Sequence, residues 1–113
     1  PNTIAPFQLI IIQIDSQKSA DVETMSESMY ATALNFGIET ILDDRDKKTS
    51  PGVKLHESEL IGIPHRIVVS PRTLEKNTVE YTDRRTGKKS ELNIEDIEVF
   101  MKRVVMADQT SHL

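Results

Sequence analysis

The run FQLIIIQI at residues 7–14 constrains the fold of this chain more than any other segment. Its apolar residues are continuous, so they do not follow the spacing of an amphipathic helix, and the run is too short for a typical helix. A strand that is apolar on both sides must be covered on both sides. The run therefore predicts an inner strand of a sheet.

The next segments predict a helix and a second strand. Ser19 is a suitable N-cap, and Asp21 and Glu23 would lie in the first turn, where the helix dipole favours acidic groups. Gly37 is a typical helix stop, and residues 38–42 form a second short apolar run. The order strand, helix, strand favours a right-handed crossover and parallel pairing. The apolar positions at helical spacing are Val22, Met25, Met29, Ala33 and Phe36.

A second helix and a third strand are predicted next. Ser50 followed by Pro51 is typical of a helix start, and Gly62 closes a short helix that runs to about Ile61. Residues 63–70 contain the apolar triplet IVV, which predicts another buried strand.

The last third of the chain predicts a hairpin and a helix. Apolar and polar residues alternate over 79–82, Thr86–Gly87 marks a turn, and residues 90–92 return as the partner strand. Asn93 would cap a final helix. Its apolar positions are Ile94, Ile97, Met101 and Val104. The predicted fold class is α/β, with the order βαβαβ, hairpin, helix around a mixed sheet.

Composition limits the possible functions. The chain has 113 residues, which fits one domain, and no apolar run approaches the length of a membrane span. It has no cysteine, which excludes disulfides and thiolate metal sites and fits a cytosolic origin. The net charge of −4 argues against a generic polyanion binder.

The charge is unevenly distributed along the chain. Residues 1–44 contain a single basic residue, Lys18, and are strongly acidic. Basic clusters occur at residues 45–48 and 84–89. They are either solvated loops or a local basic rim around a specific site.

Self-contained catalysis finds little support. Asp43 and Asp44 follow a strand of a parallel sheet, where a pair of acids could bind Mg²⁺ as in a receiver domain. The next strand ends at Ser70 and carries no further acid.

His56 and His65 are possible general bases, but no nucleophile elbow accompanies them, and a packing role is the simpler interpretation.

The second predicted helix carries a mixed patch. A helical wheel places Leu55 and Glu59 on one side, and Arg66 and Arg72 lie near the two ends of the next strand. An apolar surface, a carboxylate and guanidinium forks are the groups needed to hold an unstacked base, and guanine suits them best. Alternatively, Glu59 is an ordinary solvated residue and Arg66 extends its charge to solvent.

Three segments carry a resemblance to a known family. They are IAPFQLIII at 4–12, ILDDRDKKTSPGVKLHESELIGIPHRIVV at 41–69 and VEYTDRRTGKKSEL at 79–92. The chain resembles, from about residue 4 to residue 105, the C-terminal anticodon-binding domain of prolyl-tRNA synthetase, a class II aminoacyl-tRNA synthetase. Sister domains occur in the threonyl, histidyl and glycyl enzymes. The resemblance implies a three-layer α/β/α domain with a five-stranded mixed sheet.

The resemblance also implies a site. In the family this domain binds the anticodon loop of proline tRNA and reads guanines at the second and third anticodon positions. Glu59 matches a family acid that takes part in reading guanine, and Arg66 matches a basic residue near the same base. Arg72 occupies a position that is often Lys or Arg, while Leu55 replaces an aromatic residue of some members. Thr73 is the fifth residue assigned to anticodon binding. The residues expected to hold phosphates are Arg45, Lys47, Lys48 and Lys54.

The resemblance sets expectations for a longer protein. Residues 1–6 would be a linker from a preceding catalytic domain, 7–106 the anticodon-binding domain and 107–113 a tail. The chain resembles the bacterial type, because it lacks the zinc-bearing extension of archaeal and eukaryotic relatives. The parent would be cytoplasmic, activate proline with ATP and Mg²⁺, and dimerise through the catalytic domain. The fragment itself would hold no metal or cofactor and catalyse nothing.

One rival function shares the fold. A domain of this kind also occurs in an accessory subunit of a DNA polymerase, where it has departed from tRNA reading. The acidic net charge keeps a protein-interaction module open as an alternative, whereas retention of Glu59 and Arg66 favours tRNA reading.

Overall fold

A computed structural model describes residues 7–43 and 62–110 of the chain. The second predicted helix, over residues 51–61, lies outside this part. The five strands are β1 Leu9–Gln13, β2 Thr40–Asp43, β3 His65–Val69, β4 Thr78–Asp83 and β5 Lys88–Asn93. Helix α1 spans Ala20–Asn35 after a 3₁₀ turn at Ser16–Lys18, and the short helix α2 spans Pro71–Leu74. The C-terminal helical run consists of a 3₁₀ turn Ile94–Asp96, an α-helical turn Ile97–Phe100, a π-helical segment Met101–Met106 and an α-helical turn Ala107–Thr110.

The strands form one mixed sheet in the order β2-β1-β3-β4-β5. Strand β1 pairs in parallel with both β2 and β3, whereas β3–β4 and β4–β5 are antiparallel. Every residue of β1 is buried. The predicted five-stranded mixed sheet with an inner apolar strand is therefore confirmed.

Alternation along β1 sends its side chains into two separate apolar clusters. Leu9 and Ile11 join the larger cluster on the first face of the sheet, where α1 and the C-terminal helical run pack. Ile10 and Ile12 join a smaller cluster on the second face, together with Ile63 and Val68. Because successive side chains of a strand point to opposite sides, the isoleucine run supplies both.

One polar contact joins α1 to the sheet. Val22, Met29 and Ala33 are buried as predicted, but the fourth buried position of α1 is Ser26. Its hydroxyl oxygen accepts a hydrogen bond of 2.8 Å from Nε2 of the buried Gln13. The same hydroxyl donates to the carbonyl oxygen of Glu23 at 3.1 Å. Ser26 thus gives the Gln13 amide a partner inside the core.

The C-terminal helical run departs from the single regular helix that the sequence predicts. Its buried residues are Ile97, Met101 and Val105, whereas the predicted Val104 is only partly buried. A π-helical turn contains more residues than an α-helical turn. Residues four positions apart, such as Met101 and Val105, therefore lie on the same side of this segment. Asn93 precedes the first turn in an extended conformation, but its side chain makes no capping hydrogen bond.

Two residues near the end of the described chain fasten this run to the sheet. Gln109 Nε2 donates to the carbonyl oxygen of Gly37 at 2.8 Å, and its Oε1 accepts from the N–H of Glu39 at 2.8 Å. Asp108 Oδ2 lies 2.8 Å from His65 Nε2 and 2.7 Å from Arg85 Nη1. Residues 107–110, which the sequence assigns to a tail, therefore belong to the folded unit. We refer to the contacts of Asp108 and Gln109 as the C-terminal lock.

The lock includes a fully buried histidine with one consistent arrangement of protons. His65 Nδ1 lies 2.7 Å from the Tyr81 hydroxyl, and Nε2 faces the Asp108 carboxylate. A neutral imidazole fits both, because Nε2–H donates to the carboxylate while Nδ1 accepts from the hydroxyl. Burial lowers the pKa of His65 from its ordinary value, although the hydrogen bond to Asp108 acts in the opposite direction. Burial also raises the pKa of Tyr81 to about 12. Because Tyr81 and Asp108 occupy both ring nitrogens, His65 has a structural role.

We expect Ser26→Ala to lower the free energy of unfolding by about 1–2 kcal/mol, because it leaves the Gln13 amide buried without this acceptor. Ser28→Ala, at an exposed position of the same helix, should change it by less than about 0.5 kcal/mol. Urea denaturation of the two variants measures both values. Equal effects would show that the contact of Ser26 with Gln13 contributes nothing.

We expect the chain to lose stability as the pH falls below about 6.5, the ordinary histidine value. The folded state holds His65 neutral, so the unfolded state binds the proton first, and stability is lost until the pH passes the depressed folded pKa. His65→Gln should reduce the slope of unfolding free energy between pH 7 and 5, which for one proton is at most about 1.4 kcal/mol per pH unit. An unchanged slope in this variant would assign the loss to other groups.

Candidate functional site

The second face of the sheet changes from apolar at β1 to charged at β4 and β5. At β1 it presents Ile10 and Ile12, which are buried in the smaller cluster. At β4 and β5 the same face presents Thr82, Glu80, Lys89 and Glu91. The charged half of this face is the candidate site.

One row of this half is basic. The strand register places Arg66 of β3 opposite Thr82 of β4, and Thr82 opposite Lys89 of β5. Residues paired in this way share a face of the sheet. Arg66 is 7% exposed, whereas Lys89 is exposed on the edge strand. Positive charge therefore extends along the row from the interior of the sheet to its edge.

The neighbouring row is acidic, but both of its acids are ion-paired. Glu80 Oε2 lies 3.1 Å from Arg72 Nη2, and Glu91 Oε2 lies 2.9 Å from Lys76 Nζ. Such exposed pairs add little to stability. Their consequence is electrostatic, since each acid is offset locally by a cation of its own.

Arg72 and Thr73 lie together in α2 but differ in exposure. The N-cap Ser70 accepts a hydrogen bond from the N–H of Thr73 at 3.4 Å, and the Thr73 hydroxyl donates to the Ser70 carbonyl oxygen at 3.2 Å. Thr73 is 1% exposed, so its side chain supports the turn from inside. The Arg72 side chain is 69% exposed and extends over the second face to Glu80. The structure brings Arg66 and Arg72 to one face and keeps Thr73 buried in the turn that follows β3.

The β4–β5 turn separates residues that the sequence groups together. Arg85 Nε and Nη2 each donate to Asp83 at 3.1 Å, and Nη1 donates to Asp108 at 2.7 Å. The hydrogen bonds from Arg85 hold the pKa of Asp83 below its usual range. Arg85 is therefore fixed between two carboxylates on the first face. Lys88 and Lys89 follow it on β5, exposed and directed to opposite faces.

Several predicted site residues lie outside the described part of the chain. They are Glu59 and Leu55, the phosphate-binding candidates Arg45, Lys47, Lys48 and Lys54, and also Asp44 and His56. Lys89 belongs to the basic cluster at residues 84–89, but the sequence did not single it out from the other basic residues of that cluster. The signal was the Thr86–Gly87 turn, because it sets the register that places Lys89, and not Lys88, on the face of Arg66.

Other kinds of site find no support within residues 7–43 and 62–110. No group of three or more histidine or acidic side chains is arranged there to hold a metal ion. No helix in the same ranges is long and apolar enough to cross a membrane.

Comparison with known proteins agrees with this architecture. The model of the family described as "Anticodon binding domain" matches residues 8–103. A structure of prolyl-tRNA synthetase from Cryptosporidium parvum, complexed with halofuginone and AMPPNP, superposes with a TM-score of 0.80 at 26% sequence identity. The match covers 95% of this chain and 22% of that one.

A second structure of that enzyme gives the same result. In its complex with L-proline and AMP, the TM-score is 0.76 at 26% identity, and the match covers 96% of this chain and 23% of that one. This chain thus spans less than a quarter of the enzymes it matches, and neither structure tests the predicted bacterial type. Because the family model matches most of its length, the chain belongs to the anticodon-binding domain family, and its fold is that of the corresponding domain of prolyl-tRNA synthetase.

Proposed function

We propose that this chain is the tRNA-recognition domain of a proline–tRNA ligase. It binds the anticodon loop of proline tRNA and reads guanines at the second and third anticodon positions. The family match over residues 8–103 carries the proposal, together with the likeness to prolyl-tRNA synthetase. The rest of the proposed parent is a cytoplasmic, dimeric enzyme whose catalytic domain uses ATP and Mg²⁺.

The charged half of the second face supports this proposal. Guanidinium forks match the O6 and N7 acceptors of guanine, and a carboxylate matches its N1–H and N2–H donors. Arg66 and Arg72, near the two ends of β3, supply the forks, and Glu59 supplies the carboxylate. Leu55 adds an apolar contact to the loop. Because Arg66 is held in a strand and mostly buried, little side-chain entropy is lost when it binds a base.

The phosphate contacts have a different task. Arg45, Lys47, Lys48 and Lys54 hold the backbone of the loop. Such contacts raise affinity for any sequence, whereas base contacts set the anticodon preference. The two groups of residues should therefore be separable by mutation.

We expect Glu59→Gln to weaken binding of a proline anticodon stem-loop by a factor of about 10 or more, because a bidentate base contact is worth about 1–3 kcal/mol. The preference for guanine over adenine at the position it reads should fall by the same factor. Fluorescence anisotropy with guanine and adenine stem-loops measures both. Aminoacylation by the full-length enzyme should fall in parallel.

Glu75→Gln is the matched control, since it removes the same charge at an exposed position of the described chain. It should leave affinity and preference unchanged. An unaltered preference in Glu59→Gln would refute the role of this acid. Failure of the unmutated chain to bind tRNA at all would favour the protein-interaction module.

We expect Lys47→Ala to weaken binding modestly and to lower the dependence of log K on log salt concentration by about 0.7, the value for one lost contact to single-stranded RNA. The anticodon preference should stay the same, because a phosphate carries no sequence information. A salt titration with both stem-loops checks this, and a changed preference would contradict the assignment.

A further inference from the structure

We propose that Lys89 is a contact for the sugar-phosphate backbone of the bound RNA, and that its neighbour Lys88 is not. This inference rests on the proposed function and extends the RNA-binding surface from Arg66 to the edge of the sheet. The ligand is a backbone phosphate of the RNA segment whose base lies over the second face.

The geometry distinguishes two lysines that are adjacent in sequence. Both are exposed on β5, but successive residues of a strand point to opposite sides of a sheet. Lys89 lies on the second face, in the row that runs through Thr82 to Arg66. Two strand spacings separate Lys89 from Arg66, which is about 10 Å. That distance is comparable to the span from a base edge to nearby backbone phosphates, and the flexible lysine side chain extends the reach.

The surroundings of the two lysines differ in charge. Lys88 is on the first face, in register with Asp83. The Arg85 side chain forms ion pairs with both Asp83 and Asp108 on that face. On this face two carboxylates share one guanidinium, whereas each acid on the second face is paired with a cation of its own. On the second face the acids nearest to Lys89 in the register, Glu80 and Glu91, are already ion-paired.

Lys89 is also available for a ligand. Within residues 7–43 and 62–110, no hydrogen bond or ion pair engages its ammonium group. Arg85, by contrast, is held by Asp83 and Asp108. Of the basic residues in the hairpin, Lys89 thus combines exposure, an unengaged charge and the same face as Arg66.

The C-terminal lock makes this presentation rigid. The Arg85 guanidinium ties the β4–β5 turn to Asp108, and Asp108 is also bound to the buried His65. The backbone of β5 is paired with β4 along its whole length. Binding would therefore order only the lysine side chain, and not the strand that carries it.

The test compares Lys89→Gln with Lys88→Gln in the 113-residue chain, using a proline anticodon stem-loop and a salt titration. Lys89→Gln should weaken binding about 3- to 10-fold near 0.1 M salt and lower the salt slope by about 0.7. Lys88→Gln should stay within about twofold of the unmutated chain, with the same slope. Lys89→Arg should keep the unmutated slope, and none of the three should alter guanine preference.

Thermal unfolding of each variant shows whether the fold is kept, as we expect at exposed positions. Equal effects of the two glutamine variants, or unmutated binding by Lys89→Gln, would overturn the inference while guanine-selective binding by the unmutated chain upholds the proposed function. Absence of any binding by the unmutated chain would overturn the proposed function and this inference with it.

Discussion

The burial of β1 on both faces is the constraint on which the rest of this structure depends. A strand with no polar side can exist in water only between two covering layers, so it occupies the interior of the sheet, with β2 and β3 on its two edges. Parallel pairing on both sides then requires crossover connections, and α1 is the described one. The antiparallel hairpin is added at the far side, where the second face has become polar. The candidate site lies on the hairpin side of this face and begins at Arg66, which is in register with Ile10 of β1.

The two faces of the sheet use charge differently. On the first face, His65, Asp83, Arg85 and Asp108 form a closed network in which each charged group is satisfied by another. Such a network holds elements together and offers little to a ligand. On the second face, the ion pairs of Glu80 and Glu91 leave Lys89 unengaged among the described residues. A histidine, an aspartate and a tyrosine within hydrogen-bond distance resemble catalytic machinery, but here their burial and mutual satisfaction indicate a structural role.

Local patterns predicted most of the elements. The isoleucine run gave β1, the spacing of Val22, Met29 and Ala33 gave α1, and the Thr86–Gly87 turn gave the hairpin. What the sequence could not show depends on long-range contacts. The role of Ser26 is set by Gln13, a residue on another element, and the lock depends on pairs such as His65 with Asp108. The π-helical segment has no simple sequence signature. The role of Glu59, the residue most important to the proposed function, was predicted from the family resemblance and a helical wheel. Glu59 lies outside the described residues.

The lock also has a consequence for how the domain assembles. The contacts of Gln109 with Gly37 and Glu39 join residues 70 or more positions apart, and that of Asp108 with His65 spans 43. Contacts of such high sequence separation carry a large loop-closure cost and depend on the strands already being in register. They should form late in folding. During synthesis on the ribosome, the contacts of Asp108 and Gln109 with the sheet could form only after nearly all of residues 7–110 had emerged.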